Sequence, residues 1–309
     1  MDFRDLRYIT KVADCGSITE AARQLFISQP SLSYIISRVE QDIGVQLFDR
    51  RSYPLALTYA GEKYVDTARK ILRLNDNLRR ELVDIGLGEK GRIRFGIPTE
   101  RAGYMLPQVI LAYRKLFPQV DISFYEAMSD DLLVSLQRDE INFYIIPRDQ
   151  QDLPQGLQTE LIYQERLYLV AAPGAVREED LVDPDKRQVS IAFLRRNPFI
   201  LIRRGHAIRK RVDAILKKQK LTPEISMEVS SCISAVQLAD AGLGITIIPQ
   251  RALEALGGIS RFQCYQYSET PDVWNVNVVY KADTYLDRTE RAFIDLMKET
   301  FGGNCPDMH

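Results

Sequence analysis

Apolar positions recur at helical spacing over about the first 85 residues, then give way to short continuous apolar runs separated by amphipathic stretches. The spacing predicts a helix over residues 1–15, with Phe3, Leu6, Ile9, Val12 and Ala13 on one side. A second short helix runs from about Thr19 to Leu25, apolar through Ala21, Ala22 and Leu25. In the third, Leu32, Ile35, Ile36, Val39 and Ile43 share one narrow face. Ser28 suits its N-cap, Pro30 falls in the first turn where a missing N–H costs nothing, and Gly44 ends it.

The opposite face of this third helix carries Pro30, Tyr34, Ser37 and Gln41, flanked by Gln29, Ser33 and Arg38. These groups are small or hydrogen-bonding, and negative charge is nearly absent until Glu40. Such a face can approach base edges and phosphates, so the pair of helices reads as a helix-turn-helix, with an ordinary helical hairpin as the alternative. Downstream, Leu47 and Phe48 read as buried, and Leu55 and Leu57 alternate with smaller residues as in a strand, which outlines a wing. Arg50 and Arg51 stand where that wing starts.

Thr58 is the expected N-cap of a long helix over Tyr59 to Ile85. Tyr64, Ile71, Leu78 and Ile85 recur every seven residues, with Ala68, Leu74 and Leu82 beside them, a seam able to pair with a second copy of itself. The stretch "GLGEKG" from Gly86 to Gly91 matches a dinucleotide-binding spacing. It stands after a helix and before a strand, the reverse of what that motif needs, so it reads as a hinge.

Beyond Arg92, strands are expected near 93–97, 122–126, 143–146, 167–171, 199–202, 225–229, 245–248 and 273–280. Helices are expected near 104–117, 130–138, 208–218, 231–241 and 286–301. This alternation implies an α/β fold of parallel sheets covered on both faces, arranged as two small lobes with a cleft between them.

Composition changes the picture little. The chain has 309 residues, 45% hydrophobic and 27% charged, with a net charge of −1, so any DNA affinity must come from local placement of basic residues. Neither an apolar leader nor a membrane-length run is seen, and the expected location is cytoplasmic. Cys15, Cys232, Cys264 and Cys305 lack metal-site or dithiol spacing. Two histidines, no G-x-S-x-G, no P-loop and no H-E-x-x-H argue against catalysis; no catalytic residue, metal ligand or cofactor is assigned.

The run "GSITEAARQLFISQPSLSYIISRVEQDIGVQLFDR", followed by "LALTYAGE", resembles the DNA-binding segment of the LysR-type transcriptional regulators, in which "SQPSLS" opens the recognition helix. At Tyr34 the family often has a basic residue instead. "FGIPTERAGYMLP", "NPFILIRRGHAIRKRVD" and "AGLGITIIP" resemble the family's effector domain, which is similar in shape to periplasmic binding proteins. The resemblance covers nearly the whole chain except the tail "GGNCPDMH". It implies a winged helix-turn-helix over 1–58, a dimerising linker helix and hinge over 59–90, and an effector domain over 91–309. Lobe I of that domain would span about 91–163 and 268–301, and lobe II about 164–267. The implied partners are double-stranded DNA, a small effector, and the chain itself as dimer and tetramer, with RNA polymerase as a further partner the family allows.

For DNA the candidate residues are Ser28, Gln29, Pro30, Ser31, Ser33, Tyr34, Ser37, Arg38, Arg50 and Arg51. Gln29 and Ser33 would read bases and the arginines would hold phosphates. For the effector, ligands in α/β folds sit beyond strand carboxyl ends at helix N-termini, which singles out four turns. These hold Thr99, Glu100 and Arg101; Ser129; Arg203, Arg204, Gly205 and His206; and Ser230 with Ser231. Plain helix capping is the competing account of each Ser and Thr. Forked arginine donors favour an anionic co-inducer such as a carboxylate, with Glu100 pairing one of them in the empty state. Cys232 is either a low-pKa thiolate or a buried small residue. The rival classes are an α/β enzyme and a solute-binding protein with an added helix-turn-helix.

Overall fold

The computed structural model describes residues 2–52, 54–85, 91–148, 150–269 and 272–302. The chain divides into two compact units, the first made essentially of residues 1–88 and the second of the remainder. The hinge segment 86–90 and the tail beyond Gly302 lie outside the described residues, as does the side chain of Ile85.

In the first unit, α1 (Phe3–Cys15) opens with a reciprocal cap: the Asp2 carboxylate accepts from the amides of Arg4 and Asp5, and the Asp5 carboxylate accepts from the amide of Asp2. Ser17 caps α2 (Ile18–Gln24), and α3 (Gln29–Ile43) starts at Ser28 and ends at a left-handed Gly44. Leu32, Ile36 and Val39 are buried with Ile9, Val12, Ala21 and Ala22; Ile35 is half-buried, and Ile43, at the end of the stripe, is exposed. The wing is a short antiparallel pair, β1 (Phe48–Asp49) and β2 (Ala56–Leu57), which begins one residue after Leu55.

The long helix α4 (Tyr59–Ile85) is capped by the Thr58 hydroxyl, which accepts from the Gly61 amide at 3.0 Å. A side chain at Gly61 would place its Cβ 2.0 Å from the Leu47 carbonyl oxygen, so only glycine lets this first turn lie against the wing stem. The predicted seam divides in two. Tyr64 packs against the first unit's own core, Ala68 is buried and Ile71 half-buried, whereas Leu74, Leu78 and Leu82 are 59%, 55% and 58% exposed.

The second unit begins with β3 (Gly91–Ile97), α5 (Thr99–Leu116), β4 (Val120–Glu126), α6 (Ser129–Gln137) and β5 (Phe143–Ile146). It continues through β6 (Leu157–Ala171), β7 (Leu181–Asp183), β8 (Gln188–Val189), α7 (Ile191–Arg196), β9 (Phe199–Ile202), α8 (Ala207–Lys218) and β10 (Ile225–Val229). It closes with α9 (Cys232–Asp240), β11 (Thr246–Pro249), α10 (Gln250–Ala255), β12 (Gln263–Tyr265), β13 (Val273–Lys281) and α11 (Arg288–Phe301).

The sheets are mixed, which corrects the expectation of parallel pairing throughout. β3 pairs parallel with β4 and β5, but β13 runs antiparallel to β5 and β6, and β11 and β12 run antiparallel to β6. An apolar run reports burial on both faces and carries no information on strand direction. β9 and β10 form a separate parallel pair. β6 starts ten residues earlier than its apolar run, because Leu157–Arg166 pairs edge to edge with β13 through residues such as Gln158, Glu160 and Gln164.

One core lies under α5 and α11 around Phe95, Phe143 and Phe293; another holds Leu167–Ala171 with Phe199, Val236 and Ile248. Glu160 fixes α11 to the sheet, accepting from Lys298 and Tyr280 at 2.7 Å each and from Arg291. Burial opposes its charge, yet these donors hold its carboxyl down to about 2.

Candidate functional site

On α3, the Ser28 hydroxyl accepts from the Ser31 amide and lies 2.7 Å from the Ser31 hydroxyl, so these two side chains complete the helix start. Gln29, Pro30, Tyr34, Ser37 and Arg38 are exposed along the free side, and Ser33 is half-buried. The arginines differ in how they are held. Arg38 pairs with the buried Asp5 of α1, and Arg50 donates to the Ser37 hydroxyl at 3.0 Å and to Glu40 at 3.1 Å. Arg51 is 94% exposed, with only a 3.5 Å approach to Asp49.

Glu40 is a residue that sequence reasoning passed over as the end of the uncharged face. It is buried, and its other oxygen accepts the amides of Leu47 at 2.8 Å and Phe48 at 3.2 Å. One carboxylate thus ties the recognition helix to the wing strand and aims Arg50.

In the second unit, Thr99, Glu100 and Arg101 form the first turn of α5 rather than a loop ahead of it, because Pro98 already serves as N-cap. Pro fixes φ near the helical value and ends β3 without needing a donor. Arg101 is 5% exposed and pairs with the fully buried Glu165 of β6. It also donates to the hydroxyls of Tyr104 at 2.8 Å and Tyr163 at 2.6 Å and lies 5.5 Å from the Trp274 ring. Burial works against its charge, but Glu165 and the two tyrosines outweigh it and hold its pKa above the ordinary value. This guanidinium is therefore committed inside the protein.

Glu100, expected to pair with one of the arginines, instead pairs, among the described residues, with the start of α9. Its carboxylate accepts from the Cys232 amide at 2.7 Å and from the Cys232 thiol at 2.7 Å. Burial first, and then Glu100, push the Cys232 thiol well above its usual pKa, so of the two readings the buried small residue holds. Ser231 caps α9 by accepting from the Ile233 amide, Ser230 is exposed, and Ser129 is 4% exposed as the first residue of α6.

A second contact joins the other two turns. A Cβ at Gly205 would meet the Met128 sulfur at 3.1 Å, and Lys210 on α8 donates to Asp130 on α6 at 3.1 Å. Lys210 first, and then Arg148, hold the Asp130 carboxyl below the usual range. His206 stands at the N-cap of α8 without a side-chain cap bond. Arg203 and Arg204 are exposed, and both lie near enough to help lower the Glu228 carboxyl, whose main partner is Arg209. The four turns therefore meet in pairs, Thr99–Arg101 with Ser231–Cys232 and Met128–Asp130 with Gly205–Lys210. Among the described residues no group of His, Cys, Asp and Glu stands ready to hold a metal, and no helix is long and apolar enough to cross a membrane.

The family models match this architecture: residues 3–62 fit the bacterial regulatory helix-turn-helix of the lysR family, and residues 86–302 fit the LysR substrate binding domain. The chain belongs to the LysR family of transcriptional regulators. Among relatives of this LysR-type regulator, ClcR of Pseudomonas putida is 30% identical over 257 residues, covering 81% of this chain and 83% of that one. A regulator of Bacillus subtilis strain 168, YcgK, is 26% identical over 99% of this chain and 98% of its own. Full-length OxyR from Pseudomonas aeruginosa shares the fold with a TM-score of 0.71 at 22% identity, covering 97% of this chain and 94% of that chain. Full-length CbnR in complex with its target DNA has a TM-score of 0.53 at 21% identity, over 97% of this chain and 99% of that chain. By its family models, this chain joins a DNA-binding helix-turn-helix to a substrate binding domain.

Proposed function

We infer that this regulator acts in the cytoplasm as a pair of chains joined along α4, each chain reading one half-site with α3, and that it responds to a small anionic effector seated at the strand-end turns of the second unit, by the N-terminus of α9 and Arg203 and Arg204. The domain limits that go with this reading are 1–58, 59–90 and 91–309, and no catalytic step or cofactor belongs to it. Gln29 and Ser33 read base edges, while Arg38, Arg50 and Arg51 hold phosphates. Gln29→Ala should cost about 1–3 kcal/mol on the preferred site and little on random DNA. Arg51→Ala should weaken both and reduce the salt slope by about 1. Equal losses for the two variants on both duplexes in a salt-series binding assay would contradict this division.

The observation that carries the effector reading is the Glu100 contact with Cys232. The N-terminus of α9 already takes a carboxylate, as its unpaired N–H groups and dipole favour. Arg203 and Arg204 supply exposed positive charge in a neighbouring turn. A ligand that binds one lobe arrangement better than another shifts the balance between them, and so the DNA contact. Replacing both Arg203 and Arg204 by Glu should abolish the effector response in a reporter assay and leave operator binding intact. A normal response from that double variant, or a calorimetric screen that yields only neutral or cationic ligands, would remove the anion assignment.

A further inference from the structure

The sequence "LFI" at residues 25–27 reads as three apolar residues in a row, yet only two of them are packed. Leu25 and Ile27 lie against the core of the first unit, whereas Phe26 between them is 95% exposed. Its backbone is also in an unfavourable region, at φ +56°. That conformation has a local cause: the Phe26 amide donates to the Arg23 carbonyl and the Ile27 amide to the Ala22 carbonyl, the paired bonds that close a helix with a left-handed residue. Glycine is the usual occupant because a Cβ crowds the neighbouring carbonyl there, and a bulky aromatic is a rare exception. The chain thus keeps a large ring in water, on a strained backbone, at a position where glycine would serve the fold better. Lys220 closes α8 in the same way, but it is a polar residue suited to water, whereas Phe26 puts a large apolar ring there.

The place of Phe26 says what that ring can meet. It stands two residues ahead of the Ser28 cap, at the end of α3 that carries Gln29 and Pro30 and that, on the proposed reading on which this inference rests, enters the groove. The exposed side of α3 offers hydrogen-bonding groups, and Phe26 is the large apolar group beside that end. In the major groove the apolar feature of the base edges is the thymine methyl. We propose that Phe26 is a DNA-contacting specificity residue, its ring packing on a thymine methyl at the edge of the half-site.

The test uses full-length protein and a duplex selected in vitro from random sequence by the wild type. Phe26→Gly should relieve the backbone and raise the melting temperature by about 2–4 °C. The same variant should bind the selected duplex about tenfold more weakly, with little change on random DNA. Phe26→Trp should keep the affinity. Replacing thymines one at a time by deoxyuridine removes single methyl groups, and at one position per half-site it should weaken wild-type binding by about three- to fourfold. Phe26→Gly should be indifferent to that same change. A glycine variant that binds as tightly as wild type, or a wild type indifferent to every deoxyuridine, would overturn the proposal.

Discussion

Arg101→Ala should destabilise the second unit by about 3–5 kcal/mol, because it strips the paired cation from a carboxylate that has no access to water. Glu165 is fully buried, one of its oxygens depends on Arg101, and the other, Oε2, has no hydrogen-bond partner among the described residues. The tyrosine hydroxyls of Tyr104 and Tyr163 would lose their donor as well. Trp274 is the sole tryptophan and lies against the same guanidinium, so its fluorescence in a urea titration reports the site directly. Changing both Arg101 and Glu165 to methionine should recover much of the loss, since a buried pair replaced by apolar groups of similar size is often close to neutral. A single variant that loses less than about 1 kcal/mol would mean that the pair with Glu165 contributes little to the fold.

Leu78→Lys should convert the protein to a monomer at micromolar concentration and reduce its affinity for a two-half-site operator by at least about a hundredfold. The exposed leucines 74, 78 and 82 stand one helical turn apart, so they line a single stripe of α4 that contributes nothing to the chain's own core. Burying a leucine against a partner gains about 1.5–3 kcal/mol, and two chains would bury the stripe twice over. A lysine in the middle of that stripe replaces this gain with an unpaired charge. Because Leu78 is already exposed within one chain, the melting of the monomeric first unit should be little changed. Sedimentation equilibrium distinguishes the cases, and a dimeric Leu78→Lys protein would falsify the assignment of the stripe to pairing.

Much of the first unit was legible because its determinants are local. Ser28, Pro30 and Gly44 mark the ends of α3 within a few residues of the positions they control, and Thr58 does the same for α4. In the second unit the alternation of elements was legible and their pairing was not. Nothing near residues 157–166 announces that this polar segment is the first part of β6, since the strand exists through its register with β13, more than a hundred positions later. β12, β7 and β8 are too short to show a period, and α7 and α10 span barely two turns.

The site shows the same limit. Arg101 looked like a ligand donor because forked cations suit anions, but its anion is Glu165 of its own chain, 64 residues away. Glu100 met Cys232 across 132 residues, a partnership that only the folded chain reveals. Phe26 could have been found, since a left-handed helix end without glycine, asparagine or aspartate invites the question of what the side chain does.

The course of β6 has a consequence for how this protein can be divided. Its first half, with Ile162 and Tyr163, belongs to the core under α5 and α11, and its second half, Leu167–Ala171, belongs to the core that holds β9 and α9. Where the chain passes through β6, a cut between the lobes falls inside one strand, between Arg166, the last residue paired with β13, and Leu167, the first paired with β11. The lobes of this regulator therefore share a seam within one strand, and an exchange of either with a relative's would have to keep the register of β6 on both sides of it.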